Sequence, residues 1–332
     1  MEGQAAAPEA PRPQVSILLL SWRDSQFIEA ALAGAVAQTL PCEIIVSNDA
    51  ADDDTHEKSM AFAASYRGPH TLSVRRNAQN LGVADHVNAA VPLARAPIIV
   101  MMAGDDISEP QRVAQLLEVF QNEPAVMALG SGFTAIDAES RPHPLRMRRQ
   151  PLRFGMAEAV SAGRLVGLLG ATLAFRREVF DRFGPLHGPI EDNALSLRAA
   201  LLGQCGVLDA VLVHYRQHAG SVSSGVFARD ESPEVAKRRR YERTIRFYRG
   251  TADDLQHCVD RSPGADPQRL RDARDVVAMY RLEAEARETM LLKPRSAWLG
   301  PIWRGLCQRG MRRKSAERAL KLLIPRRWLR LG

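Results

Sequence analysis

Four short runs rich in apolar residues, at positions 15–20, 43–47, 72–75 and 98–102, are separated by stretches of helical length. A strand covered on both faces reads as a continuous apolar run, whereas a half-solvated strand alternates. Such strands alternating with helices imply a mainly parallel sheet flanked by helices. The intervening segments carry the matching helical signals. Ile28, Leu32, Ala35 and Val36 recur at helical spacing behind Asp24 or Ser25 as N-cap, and residues 55–66 and 83–94 predict two further helices. Pro110 sits at a first helical position with Ser108 before it and Gln111 after it, so a helix follows with Val113, Leu116, Leu117 and Phe120 facing inward.

Further along, residues 125–135 predict two more strands, and 141–153, rich in Pro and Arg, an exposed loop that suits a lid. Residues 165–175 continue the core. Residues 191–202 predict a helix whose first turn is acidic, as the positive end of a helix dipole prefers. Residues 207–215 read as a closing strand, and beyond Asp230 the pattern is helical and charged with no alternation left. No repeat of fixed period is present.

Composition limits the function classes. With 332 residues, 45% hydrophobic and 25% charged, the chain suits one large or two ordinary globular domains. Cys42, Cys205, Cys258 and Cys307 are scattered without a CxxC pair or zinc spacing, which argues against a disulfide framework or a zinc finger and for a reducing compartment. Residues 1–13 are rich in Ala, Pro and Glu without an apolar leader and are expected to be disordered. No stretch approaches the roughly eighteen apolar residues of a membrane span, so a cytoplasmic enzyme is expected.

Charge divides the chain. Residues 1–236 hold 20 Lys and Arg against 27 Asp and Glu, whereas 237–332 hold 25 against 11, so the basic part reads as a separate helical piece. From Lys293 onward there are 12 basic residues and one acid, Glu317, interleaved with Trp298, Leu299, Trp303 and Trp328. That mixture suits an anionic membrane surface at 293–332, or helices packed on the catalytic domain. It carries no nucleic-acid motif, and nucleic acid is not an expected partner.

Polar residues gather at the predicted strand exits, where open α/β sheets bind ligands. Ser47, Asn48 and Asp49, then Asp52, Asp53 and Asp54, follow the second strand; these acceptors suit a nucleobase edge or ribose hydroxyls, or a polar turn capping the next helix. Asn80, Leu81 and Gly82 form a turn in which Gly permits close backbone approach. Gly104, Asp105 and Asp106 follow the fourth strand, and two adjacent carboxylates there are unfavourable unless a cation or donors compensate. A hard cation such as Mg²⁺ or Mn²⁺ suits oxygen ligands and bridges a diphosphate. Glu191 and Asp192 suit a general base or helix-dipole acids, and 216–221 suits a phosphate-contacting loop.

Taken in order, VSILLLSW, EIIVSNDAADDDT, NLGVADHVNAA, IIVMMAGDDI, GPIEDNALSLRAALLG and YRQHAGSVS resemble the inverting family 2 glycosyltransferases of the GT-A fold. The resemblance covers about residues 14–225 and leaves 226–332 as a basic helical C-terminal extension. It implies transfer of a sugar from a nucleotide-diphosphate donor, UDP- or dTDP-linked, to an acceptor hydroxyl on a glycan or lipid-linked molecule, with a divalent metal. A polysaccharide, lipopolysaccharide or glycolipid of the cell envelope would be the product, made at the inner face of the membrane. The competing readings are a nucleotide-sugar binding protein without catalysis and a nucleotidyltransferase; the latter usually has a Gly-rich loop after the first strand, and residues 20–26 are not one.

Residue by residue, the resemblance implies that Ser21 and Trp22 contact the donor's base and ribose, standing where Thr and Tyr are common. Asn48 and Asp49 match paired acids of the nucleoside site, with Asn48 replacing the first, and Asn80 and Gly82 match the next donor-binding turn. Gly104, Asp105 and Asp106 match the end of an Asp-x-Asp-Asp pattern whose first acid is Ala103 here. Asp105 is then the expected metal ligand, and Asp106 is expected to orient the loop or cap the next helix. Asp192 matches the base with Glu191 as partner, and Arg216 and His218 match a loop that closes over the diphosphate.

Overall fold

A computed structural model describes residues 12–145, 151–218, 220 and 233–323. The putting together of the sheet follows the expected alternation. β1 (Val15–Ser21), β2 (Glu43–Asn48), β3 (Thr71–Arg76) and β4 (Ile98–Ala103) are parallel in the spatial order β3-β2-β1-β4, with helices α1 (Ile28–Val36), α2 (Thr55–Ser65) and α3 (Val83–Ala90) between them. The continuous apolar runs are explained by burial on both faces. Ile17, Leu19, Val100 and Met102 pack with Ile28, Leu32, Leu116 and Phe120 on one side. Leu18, Ile99 and Met101 face a second cluster on the other.

Beyond β4 come β5 (Ile107–Ser108), α4 (Arg112–Asn122), β6 (Val126–Ile136), β7 (Arg153–Phe154), α5 (Met156–Ala162), β8 (Ala174–Arg176), α6 (Glu178–Asp181), α7 (Glu191–Leu202) and β9 (Gln204–Arg216). β8 lies antiparallel between β4 and β6, β6 and β9 are parallel, and β5 and β7 line the far side of β9. The stretch expected to hold two strands after residue 125 is the single strand β6. Its register against β9 slips around Gly132, where a Cβ would stand 2.9 Å from the Ala210 carbonyl, so a bulge imitates a strand break.

The basic C-terminal part, expected as a separate helical piece or as helices packed on the catalytic domain, packs against the sheet. Helices α8 (Pro233–Asp260) and α9 (Pro267–Leu292) send Ile245, Tyr248, Ala252, Leu255, Val276 and Tyr280 into the cluster that covers Leu18, Ile99 and Met101. Helices α10 (Leu299–Cys307) and α11 (Arg312–Leu323) dock on α9 through opposite charge. Arg304 pairs with Glu285, Arg309 with Asp272 and Asp275 at 2.9 Å, and Lys314 and Arg318 with the buried Glu283 at 3.5 and 2.9 Å. Four of the tail's cations are therefore paired with acids of α9, while Leu299, Trp303 and Leu320 stay exposed. Among the described residues no helix is long and apolar enough to cross a membrane. Of the residues 1–13 expected to be disordered, 1–11 lie outside those described, as do 146–150 of the expected lid at 141–153.

Candidate active site

Register alone brings the first group together. Ser21 pairs with Asn48 and Leu20 with Ala103, so the exits of β1, β2 and β4 open side by side. Asn48 is buried; its Oδ1 accepts from the Ala51 amide at 3.0 Å and its Nδ2 reaches Ser21 Oγ at 3.5 Å. Asp49, also buried, accepts from Asn77 Nδ2 at 2.7 Å and from the Leu81 and Gly82 amides at 3.0 and 2.9 Å. Asn80 Nδ2 in turn donates to the Asp49 carbonyl at 3.3 Å. Asp49 thus fixes the turn at 77–82, where Gly82 takes φ 76°, a conformation open to glycine. Trp22 stays 40% exposed with the Arg23 guanidinium 4.8 Å over its ring, so it offers a flat face at the cleft rim.

Beneath these residues lies a polar network that sequence reading missed. Arg75 Nη1 donates to Ser47 Oγ at 2.7 Å and Nη2 to Asn77 Oδ1 at 2.6 Å, while His86 Nε2 meets Ser47 Oγ at 2.8 Å. Burial pushes His86 down from its ordinary value, which favours the neutral ring. Arg75 and His86 sit on a strand and a helix among ordinary polar residues, and no local spacing marks them.

The acidic pair is lopsided. Asp106 is buried, its Oδ1 accepts from the Arg216 amide at 2.8 Å, and burial with the neighbouring Asp105 charge pushes its carboxyl well up. Asp106 therefore orients the loop; it caps no helix, since α4 starts at Arg112 behind Gln111. Asp105 keeps its carboxylate in the cleft, with Oδ2 at 3.2 Å from His218 Nε2. Arg216, expected on the loop that closes over the diphosphate, makes its contacts here with neighbouring loops. Its Nε donates to the Asp105 carbonyl at 2.8 Å and Nη1 to the Asp137 and Ala138 carbonyls and Ser140 Oγ at 2.8 to 3.1 Å. It is 2% exposed and stacks over Phe27 at 4.7 Å, so its charge sets the loop's shape.

Asp24, expected as the α1 cap, belongs here instead. Its carbonyl accepts from the Phe27 and Ile28 amides, but its carboxylate turns back to the Trp22 amide at 2.9 Å, and α1 begins without a side-chain cap. Gly104 is required at this point, because a Cβ would stand 2.4 Å from Asp24 Oδ2 and 2.8 Å from Ser21 Cβ. One ligand atom each from Asp24, Asp105 and His218 lies within 4.8 Å of the others. Two carboxylates and an imidazole form a donor set that suits a divalent cation such as Mn²⁺.

Glu191 and Asp192 open α7, and Asp192 Oδ1 accepts from the Asn193 amide at 2.6 Å. Burial pushes Asp192 up to about 6, against backbone amides of Asn193 and Gly170 that hold it down, while burial and the Asp192 charge push Glu191 up to about 8. A carboxyl poised near 6 beside one protonated at neutrality suits proton transfer near pH 7. Both face the turn at Gly170–Thr172, where a Cβ on Gly170 would meet Glu191 Oε1 at 3.2 Å. The fully buried Arg112, pushed down to about 10 by burial, ties that turn to the acidic loop's strand: Nη2 donates to the Met101 and Ala171 carbonyls at 2.9 and 3.0 Å.

The profile of "Glycosyl transferase family 2" matches residues 16–184. A succinoglycan biosynthesis protein, ExoU, of Rhizobium meliloti is 34% identical over 113 residues, covering 34% of this chain and 31% of its own. An uncharacterized glycosyltransferase of Nostoc sp. is 22% identical over 217 residues, covering 63% of this chain and 66% of its own. The chain thus spans about a third and about two thirds of these relatives' lengths. Among solved structures, S. aureus TarS 1-349 in complex with UDP-GlcNAc superposes with TM-score 0.57 at 15% identity, covering 87% of this chain and 79% of the other. The mannosyltransferase PcManGT of Pyrobaculum calidifontis, in complex with GDP-Man and Mn2+, gives 0.53 at 16% identity, covering 96% and 88%.

Proposed function

The chain belongs to glycosyl transferase family 2 with the GT-A fold, and from that premise we propose that it moves a sugar from UDP or dTDP to an acceptor hydroxyl with inversion. What carries the reading is the arrangement at the strand exits: Asp105 open to the cleft beside His218, and a base-and-acid pair at Asp192 and Glu191 tied to the same strand through Arg112. Trp22 lies along the base and ribose, on the frame built by Ser21, Asn48, Asp49, Asn80 and Gly82. Asp192 takes the acceptor hydroxyl's proton as the oxygen attacks the anomeric carbon opposite the departing nucleotide. Asp105 would hold a divalent cation, which would supply positive charge to offset that of the leaving diphosphate. His218, on the loop that Arg216 and Asp106 shape, closes the diphosphate side.

The relative named for succinoglycan biosynthesis supports a glycan or lipid-linked acceptor of the cell envelope. A panel of nucleotide sugars tests the donor. One UDP- or dTDP-sugar with Mn²⁺ raises Tm, by about 2.7 kcal/mol of stability at a hundredfold excess over Kd, and releases nucleoside diphosphate only when acceptor is present. No stabilisation by any member of the panel would sink the reading.

The exposed Leu299, Trp303 and Leu320, with Lys293, Arg312 and Lys321 nearby in sequence, support docking on an anionic membrane at the cytoplasmic face, where each cation near the surface is worth about 1 kcal/mol. Vesicles containing anionic lipid pellet the wild-type chain, and Trp303→Ser reduces recovery several-fold; equal recovery of both proteins removes the membrane from this account.

A further inference from the structure

We propose that Asp24, on the loop after β1, is a ligand of the same cation as Asp105 and His218. This rests on the metal-dependent reading above and adds an acid that no strand-exit pair accounts for. The register that pairs Leu20 with Ala103, and the Gly104 amide donating to the Leu20 carbonyl at 2.8 Å, bring the two exits together. Ala103 has no side-chain ligand atom there, and Asp24 does, from the loop after the neighbouring strand.

The backbone of Asp24 is fixed on every side. Its amide donates to Thr55 Oγ1 at 2.9 Å, and its carbonyl starts α1 through the Phe27 and Ile28 amides. The residue is buried, at 8% exposed, yet among the described residues no Lys or Arg pairs with its carboxylate. Arg23 goes to Asp52, and Lys58 to Ser25 and Asp54. A helix cap would explain an acid at this position, but α1 has no side-chain cap. The Trp22 amide needs only a neutral acceptor, which Asn supplies equally well. What an Asn cannot supply is charge toward Asp105 and His218, whose ligand atoms lie within 4.8 Å. Gly104, with no room for a Cβ against Asp24 Oδ2, is the local sign that this approach is built in.

Calorimetry with Mn²⁺ alone on the full chain, wild type against Asp24→Asn and Asp105→Asn, tests the assignment. Asp24→Asn weakens Mn²⁺ binding by tenfold or more, and Asp105→Asn weakens it at least as much. Without metal, Asp24→Asn melts no lower than wild type, because it removes a buried charge that pairs with no Lys or Arg among the described residues; with Mn²⁺ only the wild type gains Tm. An Asp24→Asn protein that binds Mn²⁺ like wild type, beside an Asp105→Asn protein that does not, overturns the role of Asp24 and leaves the metal reading intact. A wild-type chain that takes up no Mn²⁺, with or without UDP, overturns both.

Discussion

Asp192→Asn lowers kcat by about 10² to 10⁴ and leaves donor affinity within about twofold of wild type, as expected when a base is lost and positioning is kept. Asn retains the acceptor for the Asn193 amide, so the start of α7 is preserved. Burial holds the Asp192 carboxyl at about 6, and only its ionised form accepts a proton, so the wild-type rate falls about tenfold per unit below that pH. Glu191, pushed up to about 8, is protonated at neutrality; Glu191→Gln therefore keeps the acid limb near 6. Stability moves the opposite way. A folded pKa above the unfolded one disfavours the folded state once the group ionises, a penalty absent below about 3.8 and complete above about 6. At pH 8, Asp192→Asn accordingly melts higher than wild type, by about 2 °C. Full transfer activity in this variant would disprove the base; a lower Tm would trace the lost activity to misfolding.

That the Asp192 helix and the strand exits were legible in sequence, and that their supports were not, has one physical cause. A strand buried on both faces leaves a continuous apolar run, so β1, β2 and β4 stand out, and polar residues at their ends are conspicuous against it. β5 and β8, two and three residues long, have no room for a pattern. Asp24 stands before a helix, where an acid is commonplace, and only the turn of its carboxylate toward Trp22 sets it apart. Arg112 has the look of a solvated helix residue; it is buried because the carbonyls of Met101 and Ala171, the latter 59 positions away, converge on it. The packing of the basic tail was left open for the same reason, since composition does not show which acids of α9 face its cations.

Asp254→Ala should destabilise the whole chain by about 3 to 5 kcal/mol, because it leaves a buried guanidinium without a counter-charge. Arg198 on α7 and Asp254 on α8 are 0% and 1% exposed and meet in a bidentate pair at 2.9 and 2.6 Å. Arg198 also donates to the Gly184 and Pro185 carbonyls at 2.6 and 2.8 Å, and Asp254 accepts from the His187 amide at 2.8 Å. The segment between them leads into Glu191 and Asp192, and at Gly188, φ 106°, it touches Gly250 of α8 so closely that a Cβ would stand 2.8 Å from the Gly250 Cα. The pair therefore holds the approach to the base against the C-terminal helices. Replacing both partners by Met removes the stranded charge, so Arg198→Met with Asp254→Met recovers much of the stability that Asp254→Ala loses, though not the backbone contacts at 184–187. Denaturant melts of the three proteins measure this, and they also decide whether the basic helices are a separate unit. One cooperative transition, moved to lower denaturant in Asp254→Ala with kcat falling alongside, is the result for a shared core; a second transition confined to the C-terminal helices, with the donor site intact, would mean that they fold apart from it.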